Sequence, residues 1–336
     1  MKRPHGRGLA LGAAAVGVGY AAERLLAHRL RGAGKPGASG GAVGRERSAL
    51  PGARTHVVPS FDGGEIYVVE RGPREARPIV LLHGLSLSSA AWHDQLVDLG
   101  DDFRVIAVDF RGHGRSTPGD QGYGIEHLVR DLRTVLEHLD VHDAVLVGHS
   151  MGGMVIMRFC VECPSVTRAR VAGIVLVSTA AGQLLAPYGL AALARFTVPA
   201  ARRSSAWLGR VPEGRLLPSS DVAFLLTRAG LGRHADPAHV ELTRTLMAAT
   251  SPRAIAESFR SLVDYDVREA LAEVDVPALV VVGTHDVLTP PRLAKEIVRH
   301  LAHAELVTLP GIGHMPMLEA RHELHRVIAD FVSKLP

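Results

Sequence analysis

Residues 145–153 read Val-Leu-Val-Gly-His-Ser-Met-Gly-Gly, an apolar run and then a serine with glycines two positions before and after it. This pattern is typical of a strand that enters a helix through a sharp turn, where the central residue is held in a strained conformation. The glycines leave room for the neighbouring backbone. The turn presents the hydroxyl of Ser150 to a base, so Ser150 is the candidate nucleophile. A glycine-rich turn of this length also arises by chance, and the partner residues must decide.

A serine hydroxyl is a weak nucleophile until a base removes its proton, and the base needs a carboxylate to fix its tautomer. Asp286 and His314 each follow an apolar, β-branched run in the last fifth of the sequence. Because the carboxyl ends of parallel strands meet at one edge of a sheet, we expect both side chains to approach Ser150. The sequence therefore predicts a catalytic triad of Ser150, His314 and Asp286, with Asp264 and Asp266 as alternative carboxylates.

The elements that must position these residues alternate between strands and helices. Apolar periodicity predicts helices at 125–139, after Ser150 and at 319–335. Such alternation predicts an α/β fold, a doubly wound and mostly parallel sheet. Strands are predicted at 56–59, 65–70, 78–82, 103–108, 145–147, 173–177, 278–282 and 305–309.

One interval interrupts this alternation. Between Thr179 and Val276 the sequence contains no clear buried strand, only helical stretches such as 186–196 and 240–249. A loop without secondary structure is rarely this long in a compact fold. The interval therefore predicts an inserted helical cap at about residues 180–275.

Five short segments occur in the following chain order: His83-Gly84, Asp109 to Ser116, Gly148 to Gly153, Val282 to Asp286 and Gly311 to His314. Together they resemble the α/β-hydrolase family, and specifically its capped serine esterases and monoacylglycerol-lipase-like members. The resemblance covers residues 55–336. It implies an oxyanion hole formed by the backbone N–H groups of Leu85 and Met151. It also implies the chain order Ser, Asp, His for the triad.

Other polar residues are expected to be structural. The glycines around Asp109 and Arg111 lack the spacing of a dinucleotide-binding loop, which excludes that function. Both residues are therefore expected to brace the floor of the site. Cys160 and Cys163 lie three apart on a helix, a spacing that suits packing better than a disulfide. His285 is expected to face away from the site. No metal-binding or phosphate-binding motif appears in the sequence, so no metal or cofactor is expected.

The basic charge of the chain is concentrated at its N-terminus. Residues 1–54 carry 10 Lys and Arg against 2 Glu, whereas the remaining residues carry 28 against 32 acidic groups. No nucleic-acid-binding face is therefore expected on the body. The uncharged run of 15 residues at 8–22 suits a signal-peptide core and is shorter than the ~20 residues of a spanning helix. Residues 1–31 are therefore predicted to direct export or membrane-surface association, with a cytoplasmic location as the alternative. Residues 32–54 are predicted to form a flexible linker.

The expected activity is hydrolysis of carboxylic esters of small or lipid-like apolar substrates through an acyl-enzyme intermediate. The apolar residues at 184–200 exceed one helical stripe. Either all of them pack against the body beneath, or part of them lines an apolar pocket for the acyl group. Two further possibilities stay open. The same triad could cleave C–C bonds, thioesters or lactones, or the chain could be a ligand-binding protein of this fold with little turnover.

Overall fold

The computed structural model describes residues 50–184, 227–228, 230–233 and 235–336. Within these residues, eight strands form one sheet in the order β1-β2-β4-β3-β5-β6-β7-β8. The first two pairings in that order are antiparallel and the others are parallel, which confirms the predicted mostly parallel sheet. The strands are β1 (Arg54–Pro59), β2 (Glu65–Arg71), β3 (Pro78–Leu82), β4 (Arg104–Val108), β5 (Ala144–His149), β6 (Val171–Val177), β7 (Ala278–Gly283) and β8 (Ala304–Leu309).

Strand β4 lies on one side of β3 in the sheet, and the next strand in the sequence, β5, pairs with β3 on its other side. The direction in which strands are added to the sheet therefore reverses between β3 and β5. Every residue of both strands is buried, because helices cover the two faces of the sheet. Neighbouring residues of β3 serve different cores: Leu81 packs on one face and Leu82 on the other. Loops that leave adjacent strands at such a reversal diverge and open a crevice at the carboxyl edge, where ligands bind in sheets of this type.

Helices pack on both faces of the sheet, as a doubly wound fold requires. Helices α2, α3 and α7 bury their apolar residues on one face, and α1 and α9 bury theirs on the other. The helices are α1 (His93–Leu99), α2 (Ile125–His138), α3 (Met151–Glu162), α4 (Pro164–Arg170), α5 (Pro237–Ala249), α6 (Pro252–Val263), α7 (Pro291–His300), α8 (Pro316–Glu319) and α9 (Arg321–Ser333), with 3₁₀ turns at Ser89–Trp92 and Glu269–Glu273.

The insertion between β6 and β7 contains helices and no strand in its described residues. Its helix α5 begins where the Asp236 side chain accepts the N–H of Ala238 at 2.8 Å, with Pro237 in the first turn. The predicted helical stretch 240–249 lies within α5. The other stretch, 186–196, lies outside the described residues.

The C-terminal helix predicted at about residues 319–335 corresponds to α9 (Arg321–Ser333). The one-turn helix α8 precedes it, and the two are separated by Ala320, whose backbone leaves the helical region (φ −136°, ψ 47°). The Glu319 carboxylate turns back to accept the N–H of Met315, the residue before α8, and so satisfies a backbone donor at the start of this turn.

The folded body begins slightly before the predicted boundary at residue 55. Leu50 packs against the core, and Arg54 is the first residue of β1. The Arg54 guanidinium lies 2.6 Å from the buried carboxylate of Glu70. None of the helices in the described ranges is long and apolar enough to cross a membrane, and the candidate segment 8–22 lies outside those ranges.

Candidate active site

Ser150 occupies the sharp turn between β5 and α3. Its backbone has φ 51° and ψ −115°, a region that residues with a side chain rarely adopt, so the turn stores strain. The hydrogen bond from Ser150 N to Val177 O, at 2.9 Å, anchors the turn to β6. A side chain at Gly152 is impossible, since its Cβ would lie 2.3 Å from Leu82 O. The local sequence thus folds into the turn that was predicted from the glycine spacing.

His314 and Asp286 form a hydrogen-bonded pair at the carboxyl ends of β8 and β7. The Nδ1 nitrogen of His314 lies 3.0 Å from Oδ2 and 3.1 Å from Oδ1 of Asp286. The Thr289 hydroxyl also donates to Asp286, at 2.8 Å. Burial would raise the pKa of the Asp286 carboxyl, but His314 and the hydrogen bonds from Thr289 hold that pKa below its usual value. Asp286 is therefore ionised and fixes the Nδ1–H tautomer of His314, which leaves Nε2 able to accept a proton.

The alternative carboxylates occupy other positions. Asp266 forms a salt bridge with Arg268, with Oδ2 2.7 Å from the guanidinium, and pairs through its backbone with Gly182. Neither Asp266 nor Asp264 is hydrogen-bonded to His314 in the described residues. Of the candidate acids, the structure brings Asp286 to the base.

Ser150 and His314 open into one cavity of about 490 Å³ at the carboxyl edge of the sheet. One wall comes from the loops that follow the strands, and the other comes from the insertion, through α5, α6 and the residues Thr227, Gly230 and Leu231. Asp286 lies behind His314, outside the lining. The lining residues are Gly84, Leu85, Ser86, Leu87, His149, Ser150, Met154, Leu184, Thr227, Gly230, Leu231, Thr243, Met247, Phe259, Leu262, Leu288, Thr289, His314 and Met315.

The two predicted oxyanion donors lie on either side of Ser150. Met151 is the first residue of α3, so its N–H has no acceptor within the helix. Leu85 occupies a turn closed by the hydrogen bond from Leu87 N to Gly84 O, and no hydrogen bond in the described part of the chain uses the Leu85 N–H. This turn reaches the serine closely: a Cβ on Gly84 would lie 3.2 Å from Ser150 Cβ.

Two buried histidines support the site, and sequence reasoning assigned neither of them a role. His83 accepts the N–H of Phe110 at Nε2 (3.0 Å) and donates from Nδ1 to Gly84 O (2.7 Å), which fixes the loop that carries Leu85. His149 donates from Nε2 to the backbone oxygen of His314 at 2.8 Å. Burial lowers the pKa of His83 to about 4 and that of His149 to about 3, so both rings are neutral. The available signal was their position, directly after β3 and directly before Ser150.

Asp109 and Arg111 brace the loop after β4 and do not line the cavity. The buried Asp109 carboxylate accepts the backbone N–H of Ser89 at 2.6 Å. The Arg111 guanidinium is completely buried and lies within 2.9 Å of both Asp62 and Asp131. Loss of Arg111 would leave the two buried carboxylates of Asp62 and Asp131 without their counter-charge, so the guanidinium is central to the stability of this loop.

The remaining expectations concern residues away from the cavity. Cys160 and Cys163 are both free thiols, the first buried and the second half-buried. The backbone N–H of His285 donates to Ile312 O at 2.8 Å, which links the loops after β7 and β8. No group of three or more metal-ligating side chains occurs among the described residues.

This fold, with a serine on a strained turn after the central strand, is that of one large family. The chain belongs to the alpha/beta hydrolase family, whose model matches residues 79–327. Membership of this family indicates that the protein is a hydrolase.

Several proteins are similar to the chain over most of their length. It is 31% identical to a non-heme chloroperoxidase of Burkholderia pyrrocinia, over 76% of this chain and 92% of that protein. It is 30% identical to a bifunctional esterase/perhydrolase of Acinetobacter calcoaceticus, over 78% and 94% respectively. The crystal structure of a hydrolase from Pseudomonas aeruginosa superposes with a TM-score of 0.69 at 26% identity, covering 83% of this chain and 98% of that one.

Proposed function

We propose that the protein is a serine hydrolase that cleaves carboxylic esters of small or lipid-like apolar substrates through an acyl-enzyme intermediate. In this proposal Ser150 is the nucleophile, His314 the base and then the acid, and Asp286 the residue that orients His314. The observation that carries the proposal is that the strained Ser150 and the His314–Asp286 pair meet at one apolar cavity.

In the acylation step, the Ser150 hydroxyl oxygen attacks the ester carbonyl carbon while its proton moves to Nε2 of His314. The carbonyl oxygen becomes an oxyanion and accepts hydrogen bonds from the backbone N–H groups of Leu85 and Met151. The positive end of the α3 dipole, at Met151, favours the same negative charge. The tetrahedral intermediate then collapses, and the leaving alcohol takes the proton from His314.

In the deacylation step, a water molecule replaces the alcohol. His314 takes a proton from this water as its oxygen attacks the acyl carbon, and the same two N–H groups hold the second oxyanion. Collapse breaks the bond to Ser150, whose oxygen recovers the proton from His314. The carboxylic acid leaves, and the chemistry uses side chains and backbone groups of this chain alone.

The lining of the cavity supports an apolar acyl group. Apart from His149 and His314, its described lining residues carry no ionisable side chain, and most are aliphatic, methionine or phenylalanine. A charged acyl group would lose its hydration there without an ion partner, which is costly. A neutral chain would instead gain about 0.8 kcal/mol for each CH₂ removed from water.

The test is covalent labelling combined with turnover. A fluorophosphonate probe should label the protein at Ser150, identified by peptide mass spectrometry, and the purified protein should hydrolyse p-nitrophenyl butyrate. Ser150→Ala should abolish both signals while the protein remains folded by circular dichroism. An unlabelled, inactive wild-type protein would contradict the proposal and favour a ligand-binding protein with little turnover. Thioester, lactone and C–C substrates assayed in parallel show whether the triad prefers one of those bonds to an ester.

The domain organisation accompanies this proposal. The hydrolase domain, predicted at residues 55–336, would also include residues 50–54, with a cap at about 180–275 that sets specificity. Residues 1–31 would bring the domain to a membrane surface or direct its export, and the rest of the predicted linker at 32–54 would connect the two. A membrane-associated position would give the cavity access to lipid-like esters.

A further inference from the structure

The loop that carries His314 is crossed by a short segment of the insertion that precedes α5, residues 230–233, here named the cap-return segment. The backbone N–H of His314 donates to Gly230 O at 2.9 Å. The two backbones pass without side chains between them: a Cβ on Gly313 would lie 2.3 Å from Gly232 N, and a Cβ on Gly232 would lie 2.3 Å from Gly311 O. The insertion and the base are therefore in direct main-chain contact.

The side chain of Glu319 lies at this crossing and binds both backbones. Its Oε2 atom accepts the N–H of Gly232 at 2.5 Å and the N–H of Gly313 at 3.2 Å. Its Oε1 atom accepts the N–H of Met315 at 3.0 Å. Hydrogen bonds from backbone N–H groups to a carboxylate are stronger than those between neutral groups. One side chain thus holds the residues on both sides of His314 together with the cap-return segment.

Each backbone that Glu319 holds also carries a functional side chain. Leu231, next to Gly232, is buried and forms part of the cavity wall. His314 lies between Gly313 and Met315 and reaches into the same cavity. A shift of the cap-return segment would therefore move the wall and the base together.

We propose that Glu319 is a positioning residue that fixes the base and the acyl-binding wall as one unit, so that substrate fit and base alignment are set together. This inference rests on the proposed ester hydrolysis. Glu319 touches no reacting atom in it, and its effect passes through the backbone of His314 and Leu231.

The first variant is Glu319→Gln, with Glu323→Gln as the matched control, since Glu323 is exposed on α9 four residues further on. The amide of glutamine has a single acceptor oxygen, so the bonds to Met315 or those to the two glycines must be lost. Turnover is measured on acetyl, butyryl and hexanoyl p-nitrophenyl esters and normalised to active sites by a fluorophosphonate titration. We expect kcat per active site to fall about tenfold, since small misplacements of catalytic groups are costly. We also expect kcat/KM to differ less among the three esters than it does in the wild-type protein. Glu323→Gln should match the wild type in both quantities.

A second variant approaches the crossing from the insertion. Gly232→Ala adds a Cβ that meets Gly311 O and separates the two backbones while Glu319 is retained. It should reproduce both effects of Glu319→Gln. Amide hydrogen exchange gives a readout without substrate: protection should fall together in residues 230–233 and 311–315 of either variant. It should not fall in Glu323→Gln.

The outcomes separate this inference from the proposed function. A wild-type protein without label or turnover contradicts ester hydrolysis, and hydrogen exchange then still decides whether Glu319 couples the two segments. An active wild type with an unchanged acyl preference in Glu319→Gln overturns the inference alone. A loss of activity that disappears after normalisation to active sites also overturns it, because that is the signature of a merely structural residue.

Discussion

The Nε2 nitrogen of His149 lies 2.8 Å from the backbone oxygen of His314, so the residue before the nucleophile holds the main chain of the base. The two rings are also in contact, with centroids 4.8 Å apart. Because Nε2 donates to a carbonyl, the proton of the neutral ring lies on Nε2. The other nitrogen, Nδ1, finds no partner in the described part of the chain. The turn at Ser150 and the main chain of His314 are thus joined by a hydrogen bond that involves neither the Ser150 nor the His314 side chain.

Replacing His149 tests this bond. His149→Phe keeps an aromatic ring but leaves the His314 carbonyl unpaired, which should cost about 1–3 kcal/mol of unfolding free energy. Since the base is then less well held, kcat should fall with KM nearly unchanged. His149→Gln can still donate from its amide nitrogen and should restore much of both quantities. Urea unfolding and ester kinetics measure the effects, and equal values for the two variants would contradict the role of the donor.

The triad residues are expected to differ in how much activity their loss removes. Ser150→Ala should abolish ester turnover, and His314→Ala should do nearly the same. Asp286→Asn keeps the shape but disturbs the tautomer of His314, and the analogous change in other triads costs ~10⁴-fold in kcat. Asp266→Asn, at the residue paired with Arg268, is the control. If Asp266→Asn lowers kcat and Asp286→Asn does not, the carboxylate of the triad is Asp266 and not Asp286.

The length of the acyl chain should matter in wild-type protein. Each added CH₂ buried in the cavity contributes about 0.8 kcal/mol, so kcat/KM should rise about fourfold per methylene until the cavity is filled. Acetyl, butyryl and hexanoyl esters of one alcohol provide the series. A flat or falling series would point to a small or polar substrate.

Stability should depend on pH through three buried histidines. Burial lowers the pKa of His83 to about 4 and those of His113 and His149 to about 3, whereas unfolded histidines titrate near 6.5. As the pH falls from 6.5 towards 4, the unfolded chain binds protons that the folded chain excludes. The free energy of unfolding should therefore fall as the pH is lowered, with a slope from these groups that approaches about 4 kcal/mol per pH unit below pH 6.

Urea unfolding at pH 7, 6 and 5 measures that slope. His113→Phe removes one of the three groups and should reduce the slope by about 1.4 kcal/mol per pH unit. Replacing an exposed histidine, as in His322→Gln, should leave the slope unchanged. A free energy of unfolding that is constant from pH 7 to 5 would show that the buried rings accept protons in the folded state.

The N-terminal arm should be dispensable for catalysis. A chain beginning at Ser48 retains Leu50, which packs on the core, and Arg54 of β1. It should fold and hydrolyse a water-soluble ester as fast as the full chain. Binding to anionic lipid vesicles should decrease, because the arm carries the basic charge. A truncated protein that fails to fold would show that the arm belongs to the folded body.

Sequence patterns predicted those parts of the molecule that local physics determines. Periodicity located the strands, and the glycine spacing located the turn at Ser150. The expected approach of His314 to Asp286 followed from the rule that the carboxyl ends of parallel strands meet. The functions of His83, His149 and Glu319 were not predictable in this way, because each binds a backbone group whose position depends on the complete fold.

The position of β8 at the edge of the sheet has a consequence for protein synthesis. His314 follows this last strand and comes 165 residues after His149 in the chain. At about 5–20 residues per second, the nucleophile turn leaves the ribosome roughly ten to thirty seconds before the base. During that interval the serine has no partner to remove its proton. Under the proposed mechanism, the nascent chain therefore stays unreactive towards esters until its final strand joins the sheet.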